Sequence, residues 1–98
     1  MTGPTWPGLL TVHVTAGDIA AGEPQTCATC PVALAARRAL GAPVEVGYSL
    51  IEAYACPGEE DAPAAAWALP AAAQDFIVRF DDDDCPVEPI TFTAERVA

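Results

Sequence analysis

The sequence predicts an α+β domain: about four mainly antiparallel strands with two main helices on one face, in the order β-α-α-β-β-α-β. Three observations predict it. Apolar residues alternate with polar ones at Leu10, Val12 and Val14, at Val44 and Val46, and at Ile90, Phe92 and Ala94, the period of a strand with one buried face. Ala73, Phe76, Ile77 and Phe80 recur instead at i, i+3, i+4 and i+7, the period of an amphipathic helix. Finally, 98 residues that are 52% hydrophobic suffice for one packed core without metals or disulfides.

The elements follow in order. Residues 1–8 (MTGPTWPG) are a lead-in punctuated by proline and glycine, with Trp6 packing back onto the body. In the first strand Leu10, Val12 and Val14 point one way, and Thr11, His13 and Thr15 form a threonine-lined outer face. Thr15 with Asp18 three residues later fits a capping box, so a short helix is expected over 16–21, stopped by Gly22. Pro31 opens a second helix, because a first-turn proline lacks only an N–H that has no helical partner. Val32, Ala36 and Ala39 form its apolar stripe with Leu40 beside them. Arg37 and Arg38 complement the dipole in its last turn, Gly41 caps it and Pro43 forbids continuation.

Val44, Val46, Tyr48 and Leu50 share one alternating phase, and Ile51, Ala53 and Ala55 share the other. That switch is best met by a hairpin turning near Gly47–Ser49, with one long bulged strand as the alternative. Residues 57–66 (PGEEDAPAAA) read as a flexible acidic loop, and Trp67 and Leu69 as a lead into Pro70. The amphipathic helix then runs from about 70 to 81 and ends at Asp81–Asp84, whose charges oppose the dipole there. The last strand alternates Ile90, Phe92 and Ala94 with Thr91, Thr93 and Glu95. A ferredoxin-like split βαβ arrangement fits this order, as a single domain over 1–98 with no repeat.

The net charge is −10, and all four bases are arginines. Residues 1–50 hold three acids and two arginines, whereas residues 51–98 hold eleven acids and two arginines. An acidic surface repels nucleic acid and anionic lipid, so neither direct nucleic-acid binding nor a membrane role is expected, while a protein with a basic surface would be attracted. Residues 1–8 lack the basic start and apolar run of a signal peptide, and no stretch is apolar for long enough to span a bilayer. A cytoplasmic location is expected, with reduced cysteines.

Cys27, Cys30, Cys56 and Cys85 are the candidates for chemistry. Cys27-Ala28-Thr29-Cys30 is a CxxC at a helix start. Thiolates at that spacing suit zinc, but a second CxxC is missing. The split βαβ layout gathers His13, Cys27, Cys30 and Cys85 at one end of the sheet and sends Cys56 to the other, so the candidate metal set is Cys27, Cys30, Cys85 and His13. The helix dipole would lower a cysteine's pKa at this position, as thiol catalysis needs. Against this, the preceding segment is a loop, and cysteine is also a small core residue.

Glu59, Glu60 and Asp61 form one acidic patch and Asp81, Asp82, Asp83 and Asp84 another. The calcium-loop pattern of glycine and terminal glutamate is absent from both. They read first as solvated turns, and as candidate contacts for a basic partner. No serine–histidine pair is placed for nucleophilic catalysis, and no glycine-rich phosphate loop occurs.

The run Cys27–Ala39 (CATCPVALAARRA) carries a resemblance, together with Val12-His13-Val14, Asp18-Ile19, Leu69-Pro70, Phe76-Ile77, Phe80-Asp81 and Pro89–Phe92. Over most of its length, the 57–66 loop excepted, the chain resembles a group of small proteins of high-GC actinobacteria and their phages. No activity is attached to that group. The resemblance implies a phage or mobile-element accessory protein. The expected function is therefore a small acidic protein-interaction or regulatory module, without catalysis or a cofactor. The alternatives are a zinc-stabilised or thiol-active protein built on Cys27 and Cys30, and a structural component of a phage particle.

Overall fold

The computed structural model describes residues 6–55, 63–82 and 86–98. The order is β1 (Leu9–Val14), α1 (Ala16–Ala21), α2 (Pro31–Leu40), β2 (Val44–Val46), β3 (Leu50–Ala53), β4 (Ala65–Ala68), α3 (Ala71–Asp81) and β5 (Ile90–Arg96). The strands make one antiparallel sheet in the order β1-β5-β4-β3-β2. The α+β class, the 16–21 helix with its capping box and the hairpin turn at 47–49 are as expected from the sequence.

The strand count is corrected from four to five. Ala65–Ala68, by its sequence the end of a loop and the lead into a helix, forms the central strand β4, with Ala65, Ala66 and Trp67 buried. Alanine is a weak strand former, and a strand covered on both faces loses the alternation that marks an amphipathic one. The split βαβ layout also places the first strand inside the sheet beside the third. Here β1 is an edge strand, separated from β3 by β5 and β4. Within α2 the buried stripe is Val32, Ala35 and Ala36 with Pro31 and Ala33, while Ala39 is exposed.

Val12, Trp67, Ile51, Val32 and Pro31 are the largest fully enclosed side chains. The inner face of the sheet is Leu10, Val12, Val14, Phe92, Ala94, Trp67, Ile51, Val44 and Val46, and α2 lies against both β1 and β2. A helix that touches both edges requires the sheet to curl around it. Small residues let it approach: Ala33 and Ala36 on the helix, and Ala53, Ala65 and Ala94 on the strands, are completely or almost completely buried. Trp67 sits in the middle, its indole N–H donating to Pro7 O at 2.9 Å and Trp6 meeting it edge-on at 6.1 Å.

Asp18 is the one buried charged residue among those described. Its carboxylate accepts the Thr15 N–H at 2.9 Å, while its own N–H donates to the Thr15 hydroxyl at 3.2 Å. Arg38, from the last turn of α2, grips it bidentately at 2.9 and 2.8 Å and also donates to His13 O at 3.0 Å. The Arg38 guanidinium and the Thr15 bonds hold the Asp18 carboxyl down to about 2, against the opposing pull of burial.

Gly22, after α1, has backbone angles any residue could adopt, yet a Cβ there would lie 2.6 Å from Pro31 Cδ and 2.8 Å from Asp18 O. Gly41 is needed for the opposite reason: it caps α2 at φ +66° with open space around it. Gly22→Ala is expected to cost about 1–3 kcal/mol through overpacking against Pro31. Trp67→Ala is expected to cost about 3–5 kcal/mol. Urea midpoints measured at constant m-value check both.

Candidate functional site

The CATC segment is held from two sides and braced by bonds within its own loop. Gln25 adopts a left-handed conformation (φ 58°), and its N–H donates to Asp81 Oδ1 at the end of α3, at 2.8 Å. The Glu23 N–H bonds Thr29 O at 2.9 Å, the Thr26 hydroxyl bonds Glu23 O at 2.8 Å, and the Thr29 hydroxyl donates to Thr26 Oγ1 at 2.9 Å. The Val46 N–H of β2 donates to Cys27 O at 2.8 Å. The loop therefore rests on α3 at one side and on the β2 edge at the other.

Between these supports lies a cleft of about 200 Å³ lined by Gln25, Cys27, Cys30, Tyr48, Ile77 and Asp81 among others. Both cysteines are free thiols, Cys27 exposed and Cys30 buried. Cys30 is the N-cap of α2: its Sγ accepts the Ala33 N–H at 3.4 Å. Burial pushes the Cys30 thiol up; hydrogen bonds from the Ala33 and Val32 amides oppose it, and the charges of Asp81 and Cys27 add a smaller upward push. The lowering expected from the helix dipole is thus outweighed by desolvation. Chemically the pair divides into an accessible thiol, Cys27, and a protonated, shielded one, Cys30.

His13 does not join them. It lies on the outer face of β1, where its Nδ1 is 3.0 Å from Thr91 Oγ1, while Cys30 belongs to the core under the inner face. Among the described residues, no group of three or more His, Cys, Asp or Glu side chains is placed to hold a metal ion. Cys85 lies outside the described residues, as does Cys56. The expected gathering of His13 with the cysteines relied on the ends of a split βαβ sheet. An edge strand whose odd residues face outward removes it.

The acidic patches separate similarly. Asp81 is not a solvated turn residue, since it is half-buried against the CATC loop. Asp82 caps the end of α3 through its N–H to Arg79 O at 3.2 Å and is exposed. Glu59, Glu60, Asp61, Asp83 and Asp84 lie outside the described residues. A further acidic pair stands apart from both patches. Glu45 and Glu52 stand directly opposite each other across β2 and β3, on the outer face. They are equidistant from the Tyr48-Ser49 pair at the tip of the hairpin, so the hairpin itself contains the signal.

Native-state alkylation followed by peptide mass spectrometry is expected to modify Cys27 roughly tenfold or more faster than Cys30, because Cys27 is exposed while Cys30 is buried with its thiol pushed up by desolvation. Equal rates would contradict the division of roles. No helix among the described residues is long and apolar enough to cross a membrane. No protein-family model matches the chain, nor does any curated protein or any solved structure.

Proposed function

We propose that this chain is a small acidic accessory protein that works by binding another protein through charge, without catalysis and without contacting nucleic acid. The observation that carries the reading is how its charges are spent. Three of the four arginines are engaged, Arg38 with Asp18, Arg79 with Asp75 at 2.9 Å and Arg96 with the backbone carbonyls of Ala98 and Trp6, and Arg37 is exposed. Meanwhile Glu45 and Glu52 face each other on the sheet with no base in their strands. Like charges directly opposite weaken a sheet, and a cation from a partner would relieve them. The partner is a protein with a basic surface, for which the 59–61 and 81–84 acids are further candidate contacts by their charge. The resemblance of the CATCPVALA helix start to proteins of actinobacteria and their phages supports a phage or mobile-element origin, and with it action in the host cytoplasm.

A second reading is favoured by one feature, the two free thiols lining a single cleft. On it the chain is thiol-active, or binds zinc through Cys27, Cys30 and Cys85 with a fourth ligand other than His13. Metal analysis of the purified protein separates it from the first. One zinc per chain, lost in Cys27→Ser, supports it; metal-free protein removes the zinc branch.

Capture of partners on the immobilised chain tests the first reading. Retention is expected to fall steeply as salt rises from roughly 0.05 to 0.5 M. It is also expected to weaken about tenfold in the Glu45→Lys/Glu52→Lys variant, and further in Asp82→Lys/Asp83→Lys. Retention unchanged by salt and by both variants would overturn it.

A further inference from the structure

The sheet has two edges, and among the described residues they are covered unequally. The β2 edge is three residues long, carries Glu45, follows Pro43, and its Val46 N–H is covered by Cys27 O. Short length, charge and a covering loop are the devices that stop a sheet edge from recruiting another strand. The β1 edge, Leu9–Val14, is six residues of Leu-Leu-Thr-Val-His-Val, with no acid, lysine or proline.

The direction of its free backbone groups can be worked out. The Arg96 N–H donates to Gly8 O at 2.8 Å, so Gly8 and Arg96 form a hydrogen-bonded pair of the β1–β5 ladder. Such pairs alternate along an antiparallel ladder. Leu10, Val12 and Val14 therefore bond to Ala94, Phe92 and Ile90, and Leu9, Thr11 and His13 direct their N–H and C=O groups away from β5. Arg38 confirms the parity independently, since it reaches His13 O from the open side. Among the described residues, the remaining outward groups of Leu9, Thr11 and His13 have no protein partner.

We infer that this edge is a self-association site, at which a second copy of the chain adds its own β1 antiparallel about a two-fold axis through Thr11. In that register Thr11 faces Thr11 and Leu9 faces His13 of the second copy. The outward N–H and C=O groups of the three residues then pair along the whole edge, with His13 O using its second lone pair beside Arg38. On the outer face, Leu9, 62% exposed in the single chain, is covered by the imidazole of the second copy.

Charge selects this occupant. In a chain of net charge −10, β1 is the one edge strand without a charged residue, so it offers nothing to a basic peptide and sets no like charges together when it meets itself. The assembly also stops at two copies. Pairing consumes both unprotected edges and leaves a guarded β2 at each end of a ten-stranded sheet.

Sedimentation velocity over a concentration series at low and high salt tests this. The wild type is expected to pass from monomer to dimer, and to dimerise more readily at high salt, which screens the repulsion between two acidic chains. Thr11→Pro removes only an outward N–H and is tolerated at an edge strand. It is expected to raise the dimer dissociation constant roughly tenfold, two hydrogen bonds being lost at the axis. Thr11→Asp keeps the N–H, sets like charges face to face, and is expected to weaken the dimer similarly. Far-UV circular dichroism checks that both variants stay folded. A wild type that remains monomeric to roughly millimolar concentration, well above the micromolar range of specific weak complexes, would overturn the inference. So would dimerisation unaffected by Thr11→Asp.

Discussion

One ionic grip ties the first half of the molecule together. Asp18 is a single side chain with three tasks: it closes the α1 capping box, accepts both arms of Arg38, and through Arg38 fastens the last turn of α2 to the β1 edge at His13 O. The carboxylate is only 6% exposed, so its charge would be costly there without those donors. Every donor comes from a different place in the chain: Thr15 from the strand end and Arg38 from twenty residues on. The grip therefore fixes the angle at which α2 crosses the sheet. The CATC loop lies at the opposite end of α2 from this grip.

The two ends of α2 are held by different physics. Its C-terminal end is anchored by charge, at Arg38. Its N-terminal end is anchored by packing, where Pro31 presses against Gly22 and Cys30 caps the first turn from inside the core. This explains why the two cysteines differ. Cys30 serves the helix and is desolvated for it, while Cys27, three residues earlier, sits on the loop that seals the β2 edge and stays open to solvent. The same loop that positions the cleft thus protects one edge of the sheet, and among the described residues the other edge receives only Arg38.

Much of this was legible in the sequence wherever periodicity or capping chemistry spoke clearly. Thr15 and Asp18 marked α1, Pro31 and Gly41 bracketed α2, and the phase switch between Leu50 and Ile51 located the hairpin. What was not legible depends on long-range packing. Alanines in β4 carry no strand signal of their own and become a strand only because β3 and β5 flank them. With β4 unseen, the strand order could not be derived, and the placement of His13 near the cysteines failed with it. Arg38 looked like a dipole-complementing residue because its true partner lies twenty residues away. Asp81 looked like the first of four solvated acids because the Gln25 amide it accepts is 56 positions distant.

The central claim is that Asp18 is ionised and gripped by Arg38 in the folded state, and its titration tests this most directly. A carboxyl whose pKa falls on folding stabilises the native state above its unfolded value, near 3.8, and loses that contribution as the pH drops towards about 2. With Arg38 half-exposed and screened by solvent, the contribution is about 1–2 kcal/mol. A carbon-detected NMR titration of the Asp18 carboxyl should give a midpoint near 2 that moves up towards the ordinary carboxylate range in Arg38→Met. A midpoint near 4 in the wild type, or one that Arg38→Met leaves in place, would contradict the account.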